Sequence, residues 1–384
     1  MKQPPTHSWV EVSERALVAN IRAHRRLIGP QVALMAVVKS NAYGHGLQLV
    51  ARVAERSRQV DWLGVASLSE AEDLRQHDIT LPILVLSYYR PFVPSRLTWA
   101  LSHHISFVVY EEGQLRALEQ AARQAGKPAH VHLKLETGMA RLGVMPSEAK
   151  AFLERILKSP YLKLEGLASH LATAEAADQS FLRQQVAAYE HFIKSAADLL
   201  PSDVLKHLAC SAAITTVPAT HGSLVRLGLA LYGLWPSEEN REVVAKLHPS
   251  FKLQPALTWK TQVIEVQKLP KGTPVGYDRT FITKKPTAMA AIPVGYWDGY
   301  DRKLSNSGAV LIHGTRCPII GRICMNIAMV DASAVHGVKV GDEVVLLGSQ
   351  KANTLSAEEL AQTIGTINYE VVTRINPELT RLLV

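Results

Sequence analysis

The sequence predicts an α/β protein: an N-terminal (β/α)8, TIM-like barrel followed by a mostly-β C-terminal domain. Three observations carry that expectation. Short apolar runs of strand length recur eight times between residues 33 and 227, most of them separated by helix-like patterns. Past about residue 247 these give way to strand runs divided by turn residues. At 384 residues the chain also exceeds the size at which a single core keeps growing. The expected division is a barrel over 1–247 and a β-rich domain over 248–384, with residues 1–12 free to pair with the β domain. A doubly wound sheet is the runner-up, but it brings strand-end residues from both halves of the chain together less readily.

In order along the chain, Trp9-Val10-Glu11-Val12 reads as a short leading strand. Ser13 then caps a helix whose Leu17, Ile21 and Ile28 share one face, and Gly29-Pro30 ends it. The eight barrel strands are expected at 33–38, 63–66, 83–86, 105–109, 131–135, 164–168, 204–208 and 224–227. Between them, Leu115, Leu118 and Ala122 line a helix stopped by Gly126 and Pro128, and Leu182, Val186, Tyr189 and Ile193 line another. In the β domain, strands are expected at 257–266, 310–313, 327–330 and 344–347. One clear helix interrupts them, opened by Ser356 and Glu359 as a capping box over Ala357 to Ile364.

Composition narrows the function classes. Hydrophobic content of 47% suits a globular protein, and the net charge of +8 comes from basic residues scattered singly or in pairs, without the cluster a nucleic-acid site needs. Three cysteines, Cys210, Cys317 and Cys324, argue against a disulfide framework and form no close Cys/His set for a metal. Neither a signal peptide nor an apolar stretch of spanning length is visible, so no membrane partner is expected and the cytoplasm is the default location.

The chemistry points to residues 37–46, VVKSNAYGHG. Lys39 falls where an apolar strand ends, beside Tyr43 and two glycines that let backbone approach a ligand closely. A lysine there can condense with an aldehyde; on residue type alone, a lysine snorkelling to solvent is the commoner reading. Further along stand KLETGMARLG (134–143), EGLASHLATAE (165–175), CSAA (210–213), LVRLGLALYG (224–233), GYDRTF (276–281), VGYWDGY (294–300) and GRICMN (321–326). Taken with VVKSNAYGHG, these eight ordered motifs closely resemble those of the alanine racemase family, whose enzymes depend on pyridoxal 5'-phosphate (PLP).

The resemblance implies an isomerase that interconverts L-alanine and D-alanine, supplying D-alanine for peptidoglycan synthesis or degrading it. It implies that Lys39 holds the cofactor and serves as one general base, and that Tyr277 is the second base on the opposite face. A phenol of ordinary pKa is a weak base at neutral pH, so His170 and Arg226 are the expected stabilising neighbours. Arg226 is implied to face the pyridine nitrogen. Tyr43, Ser211 and the amides around Gly228 and Leu229 are the expected phosphate ligands. Arg141 and the Met325 amide match positions that meet the substrate carboxylate, and Lys134 matches a lysine carbamylated in some members. The family also implies a homodimer with shared active sites.

Ser40, Cys210 and Asn326 depart from the family's usual alanine, asparagine and aspartate. Cys210 and Asn326 leave the expected catalytic groups in place but bear on pocket shape. The competing functions are a broad-spectrum racemase acting on serine, lysine or arginine, a PLP-dependent decarboxylase of related plan, and a PLP-binding homeostasis protein. The β domain and Tyr277 disfavour the last, while GYDRTF and GRICMN disfavour the decarboxylase.

Overall fold

A computed structural model describes residues 7–384. The chain resolves into two compact units, one holding Leu17–Ala42 and Leu47–Gln254, the other residues 7–16, Tyr43–Gly46 and Pro255–Val384. The leading strand β1 (Ser8–Val12) belongs to the second unit and pairs there with its strands; residues 1–6, also named for that pairing, lie outside the described residues.

The first unit contains all eight expected parallel strands, each within about two residues of its expected ends: β2 (Ala33–Val37), β3 (Trp62–Val65), β4 (Ile83–Val85), β5 (Ile105–Val109), β6 (Ala129–Lys134), β7 (Leu162–Ala168), β8 (Leu205–His207) and β9 (Leu224–Leu227). Their order is β8-β7-β6-β5-β4-β3-β2-β9, a barrel closed around β2 and β9. The seam between β8 and β9 has no strand ladder. It is bridged instead by Ser223 N–H to Lys206 O (3.0 Å), Lys206 N–H to Ser223 Oγ (2.8 Å) and Arg226 N–H to Ala209 O (3.1 Å). Arg226 thus sits where the barrel is stitched shut. Helices follow most strands because apolar residues at 3.6 spacing can be buried only against the sheet. The helix Glu14–Ile28 buries Leu17, Ile21 and Ile28, starts with the Ala16 amide on Ser13 Oγ, and stops at Gly29 with φ of 74°.

The helix Ser180–Ser195 corrects its expected face. Gln185 and Phe192 are buried with Leu182 and Tyr189, while Val186 and Ile193 are only partly buried. A polar residue wins the inward position because its amide is satisfied there: Gln185 Oε1 accepts from Ala172 N–H (2.8 Å) and its Nε2 donates to His170 O (3.1 Å).

The second unit contains β10 (Leu257–Gln262), β11 (Glu265–Leu269), β12 (Pro274–Val275), β13 (Phe281–Ile282), β14 (Thr287–Ile292), β15 (Ala309–Ile312), β16 (Thr315–Pro318), β17 (Ala328–Asp331), β18 (Glu343–Gln350), β19 (Asn353–Leu355) and β20 (Thr380–Leu383). The main sheet runs β16-β15-β18-β10-β1-β20, and β11-β14-β17 form a second sheet. The single run expected at 257–266 is therefore two strands in different sheets. Ser356 caps Ala357–Ile364 through the Glu359 amide, but the Glu359 carboxylate pairs with Arg316 rather than completing the box. A second helix, Asn368–Thr373, was not expected and carries Tyr369.

Residues 43–46 join this unit through tight backbone contacts. A Cβ on Gly44 would lie 2.1 Å from Val372 O, and Arg381 Nε donates to Gly44 O at 3.0 Å. No helix of the described residues is long and apolar enough to cross a membrane.

Candidate active site

Lys39 leaves the end of β2 into a turn whose next three residues adopt left-handed helical angles: Ser40 (φ 56°, ψ 55°), Asn41 (54°, 43°) and Ala42 (52°, 52°). Left-handed conformation costs an L-residue roughly 1–2 kcal/mol, so the turn needs anchors. Ser40 N–H donates to Glu70 Oε1 (2.5 Å), Ala42 N–H to Val38 O (2.8 Å) and Leu47 N–H to Asn41 Oδ1 (2.9 Å). Glu70 also accepts from the Ala66 and Ser67 amides at the start of the helix Leu68–Gln76. One carboxylate, absent from the sequence-based site, therefore ties the Lys39 turn to a helix N-terminus, where the helix dipole favours negative charge.

Lys39 opens into a cavity of about 230 Å³ at the C-terminal ends of the barrel strands, shared with Lys134, Arg141, His170, His207 and Arg226. Among the described residues no carboxylate lines it. The consequence is electrostatic. Burial, with Arg141 and Arg226 nearby, lowers the Lys39 pKa, partly opposed by Glu70. Burial and the Arg226 and Arg141 charges bring Lys134 down to about 8. Both amines are thus more nucleophilic near neutral pH than exposed lysines, and the lining is suited to anions.

Arg226 is buried, and its guanidinium is held from several sides. NH1 donates to His207 Nδ1 (2.9 Å) and His207 O (2.8 Å), and NH2 to Ser169 O (2.8 Å), Leu208 O (3.1 Å) and His170 Nδ1 (3.3 Å). Guanidinium only donates, so both facing ring nitrogens carry lone pairs. His170 is accordingly neutral: burial and the surrounding cations push its pKa to about 3. His207, seen in the sequence only as part of a strand, is, with Glu70, a residue of the site that sequence reasoning missed. A histidine inside an apolar strand was the available signal.

The Arg141 loop is shaped by Glu136. Its carboxylate accepts from Gly138 N–H (2.6 Å) and Arg141 N–H (3.2 Å), and although burial opposes its charge, these backbone donors hold its pKa below the ordinary value. Ser211 begins the helix Ser211–Thr216, and its Oγ accepts from Gly228 N–H (2.9 Å) and Ala230 N–H (3.4 Å). Ser211, Gly228 and Leu229 thus form a separate buried group after β8 and β9.

Tyr43, Tyr277 and Met325 belong to the β unit. Tyr43 is packed near Tyr369, ring centres 6.2 Å apart. Tyr277 stands between the paired strands β12 and β13 on a turn with Gly276 at φ 70° and Asp278 at φ 58°, steadied by the Asp278–Arg322 ion pair (2.7 Å). It is 70% exposed. Met325 is exposed too, and the VGYWDGY turn packs on it, with Trp297 N–H donating to Met325 O (3.0 Å).

One buried and one half-buried histidine, both held neutral, predict sensitivity to acid. His24 is held near pKa 4 by burial, against the hydrogen bond its Nδ1 donates to Asn20 O (2.8 Å), and His170 near 3. In the unfolded chain both would protonate near pH 6.5, so between about pH 4 and 6.5 the unfolded state binds more protons and stability rises with pH. Around pH 5 the two contribute roughly 2–3 kcal/mol per pH unit. Urea midpoints measured at pH 5 and pH 7 should differ in that direction; a flat profile would show that these rings are not held neutral.

Residues 12–236 match the alanine racemase N-terminal domain family, and residues 256–383 match the alanine racemase C-terminal domain family. The chain is 36% identical to alanine racemase 2 of Caldanaerobacter subterraneus, covering 98% of this chain and 94% of that one. It is 38% identical to the alanine racemase of Desulforamulus reducens, over 100% of both. The solved alanine racemase of Clostridium difficile superposes with a TM-score of 0.91 at 32% identity, covering 100% of this chain and 97% of that one.

Proposed function

The chain belongs to the alanine racemase family, and on that premise we propose that it interconverts L-alanine and D-alanine with PLP by a two-base mechanism. The observation that carries this reading is the cavity at the barrel mouth, where Lys39 meets Arg226, His170 and Arg141 with no carboxylate among the described lining residues. These residues fit PLP: a lysine amine of lowered proton affinity suits an aldehyde, and a cationic lining suits a phosphate and a substrate carboxylate. PLP, when bound, supplies an electron-withdrawing ring that makes the Cα proton of an attached amino acid removable near neutral pH.

The chain's own residues do the rest. Lys39 would hold the cofactor through its amine, and that amine would take or return the Cα proton on one face. Tyr277 does the same on the other. Arg226 keeps its protons, so it would offer the cofactor's ring nitrogen a hydrogen bond but no proton, which would restrain side reactions. Tyr43, Ser211, Gly228 and Leu229 hold the phosphate; Arg141 and the Met325 amide hold the substrate carboxylate.

We further propose a homodimer in which the β domain of one chain covers the barrel mouth of the other. The exposure of Tyr277, Trp297, Met325 and Ile367 supports it, since exposed apolar groups in the β unit suit an interface. All three cysteines are unpaired, which supports a reducing, cytoplasmic setting.

The test is an assay of the PLP-loaded protein with L-alanine, L-serine, L-lysine and L-arginine. Alanine should be racemised fastest, by about tenfold or more in kcat/KM, because added side-chain atoms must find room in a cavity of about 230 Å³. A faster reaction with a larger substrate would replace this reading with that of a broad-spectrum racemase.

A further inference from the structure

The geometry points to Glu165, at the opposite end of the barrel from Lys39, as a positioning residue that acts on Arg226 through His132 and His207. Arg226 NH1 donates to His207 Nδ1 (2.9 Å), His207 Nε2 meets His132 Nδ1 (2.9 Å), and His132 Nε2 meets Glu165 Oε2 (3.2 Å). Both histidines are fully buried, and Glu165 borders a second cavity, of about 450 Å³, among residues that begin the barrel strands. The chain of contacts therefore spans the barrel interior.

The two ends of this chain dictate its protons. A guanidinium can only donate, and an ionised carboxylate can only accept. With two neutral imidazoles between them, one arrangement satisfies every contact: Nε2–H and a bare Nδ1 on both rings. Burial lowers the pKa of both histidines and so keeps them neutral. Burial opposes charge on Glu165 as well, but hydrogen bonds from His130 and His132, with Ser106, outweigh it and hold the carboxyl well below its usual range. Ser106 Oγ donates to Oε2 (2.5 Å) and His130 Nδ1 lies 2.8 Å from Oε1, so the carboxylate is itself fixed.

The sequence also makes room for this chain. A Cβ on Gly166 would lie 2.2 Å from His132 Nδ1, the atom that faces His207. Gly166 is not in a left-handed conformation; its use here is space. Moreover, Arg226 touches no carboxylate among the described ion pairs, so Glu165 is the anion wired to it. Each donated proton polarises the next ring, which strengthens the acceptor that His207 presents to Arg226.

This deepens the racemase reading and rests on it only for the activity measurement. The test is ¹⁵N NMR of the full-length protein labelled at histidine, without substrate, in the wild type, Glu165→Leu, Glu165→Gln and Gly166→Ala. In the wild type His132 and His207 should each show a protonated Nε2 and a bare Nδ1. Glu165→Leu removes the acceptor and should shift the His207 signals and lower kcat/KM for alanine by about tenfold. Glu165→Gln keeps an acceptor oxygen and should restore both to within about threefold of the wild type. A purely structural Glu165 would change thermal stability and leave the His207 signals and the activity per folded molecule alone. Should Glu165→Leu not fold, Gly166→Ala pushes His132 aside with Glu165 intact and should give the same His207 shift. Unchanged His207 signals in a folded Glu165→Leu or Gly166→Ala protein would overturn the proposal, as would a Glu165→Gln protein as impaired as Glu165→Leu. A wild type with ordered histidine signals but no racemisation would instead count against the proposed function alone.

Discussion

Lys39→Ala should abolish racemisation and, with it, the reductive attachment of the cofactor. The residue combines two roles, the covalent tether and one of the two bases. Loss of a positioned general base alone removes about 10²–10⁴ in rate. With the tether gone as well, activity should fall at least about a thousandfold. The measurement that decides the assignment is borohydride treatment of the PLP-loaded protein followed by peptide mapping. Two half-buried amines share the cavity, and Lys134, with its pKa near 8, is a real chemical competitor. Label should appear on the Lys39 peptide and vanish in Lys39→Ala, with the circular dichroism of the folded protein retained. Label on Lys134, or activity surviving in Lys39→Ala, would refute the role given to Lys39.

A mixture of Lys39→Ala and Tyr277→Phe proteins should recover activity that neither has alone. In the proposed dimer each site draws Lys39 from one chain and Tyr277 from its partner. After dissociation, mixing and reassociation, about half the dimers are mixed. One of the two sites in each mixed dimer collects both defects, and the other is whole, so about a quarter of wild-type activity returns. If Lys39 and Tyr277 served the same site within one chain, every site would keep a defect and nothing would return. The exposure of Tyr277 on its β12–β13 turn is the structural reason for expecting recovery. No recovery, with subunit exchange demonstrated by a mass-tagged chain, would remove Tyr277 from the partner's site.

The outline of the fold was legible because its signals are local. A buried parallel strand must be apolar along its whole length and a barrel helix apolar along one stripe, so all eight barrel strands lay close to where their runs predicted. Lys39 stood out for the same reason: a charged residue directly after such a run has to emerge at the strand's end. His170 and Arg141, placed by motif, also reach the cavity.

Tertiary structure decided what depends on contacts between distant segments. Gln185 displaced Val186 from the buried face of its helix because the His170 and Ala172 backbone offered it partners. Tyr43, four residues from Lys39, joined the β unit through contacts made by its neighbour Gly44. Glu70 became the anchor of the Lys39 turn from 30 residues away. Above all, His207 lies 75 residues from His132 and 19 from Arg226. Only the register of β6, β7 and β8, with Gly166 leaving a gap between the strands, turns those separate polar residues into one line through the barrel. A sequence determines which residues must be buried, but the partner that makes burying a charge or an imidazole tolerable is chosen by the fold, because hydrogen bonds act over about 3 Å.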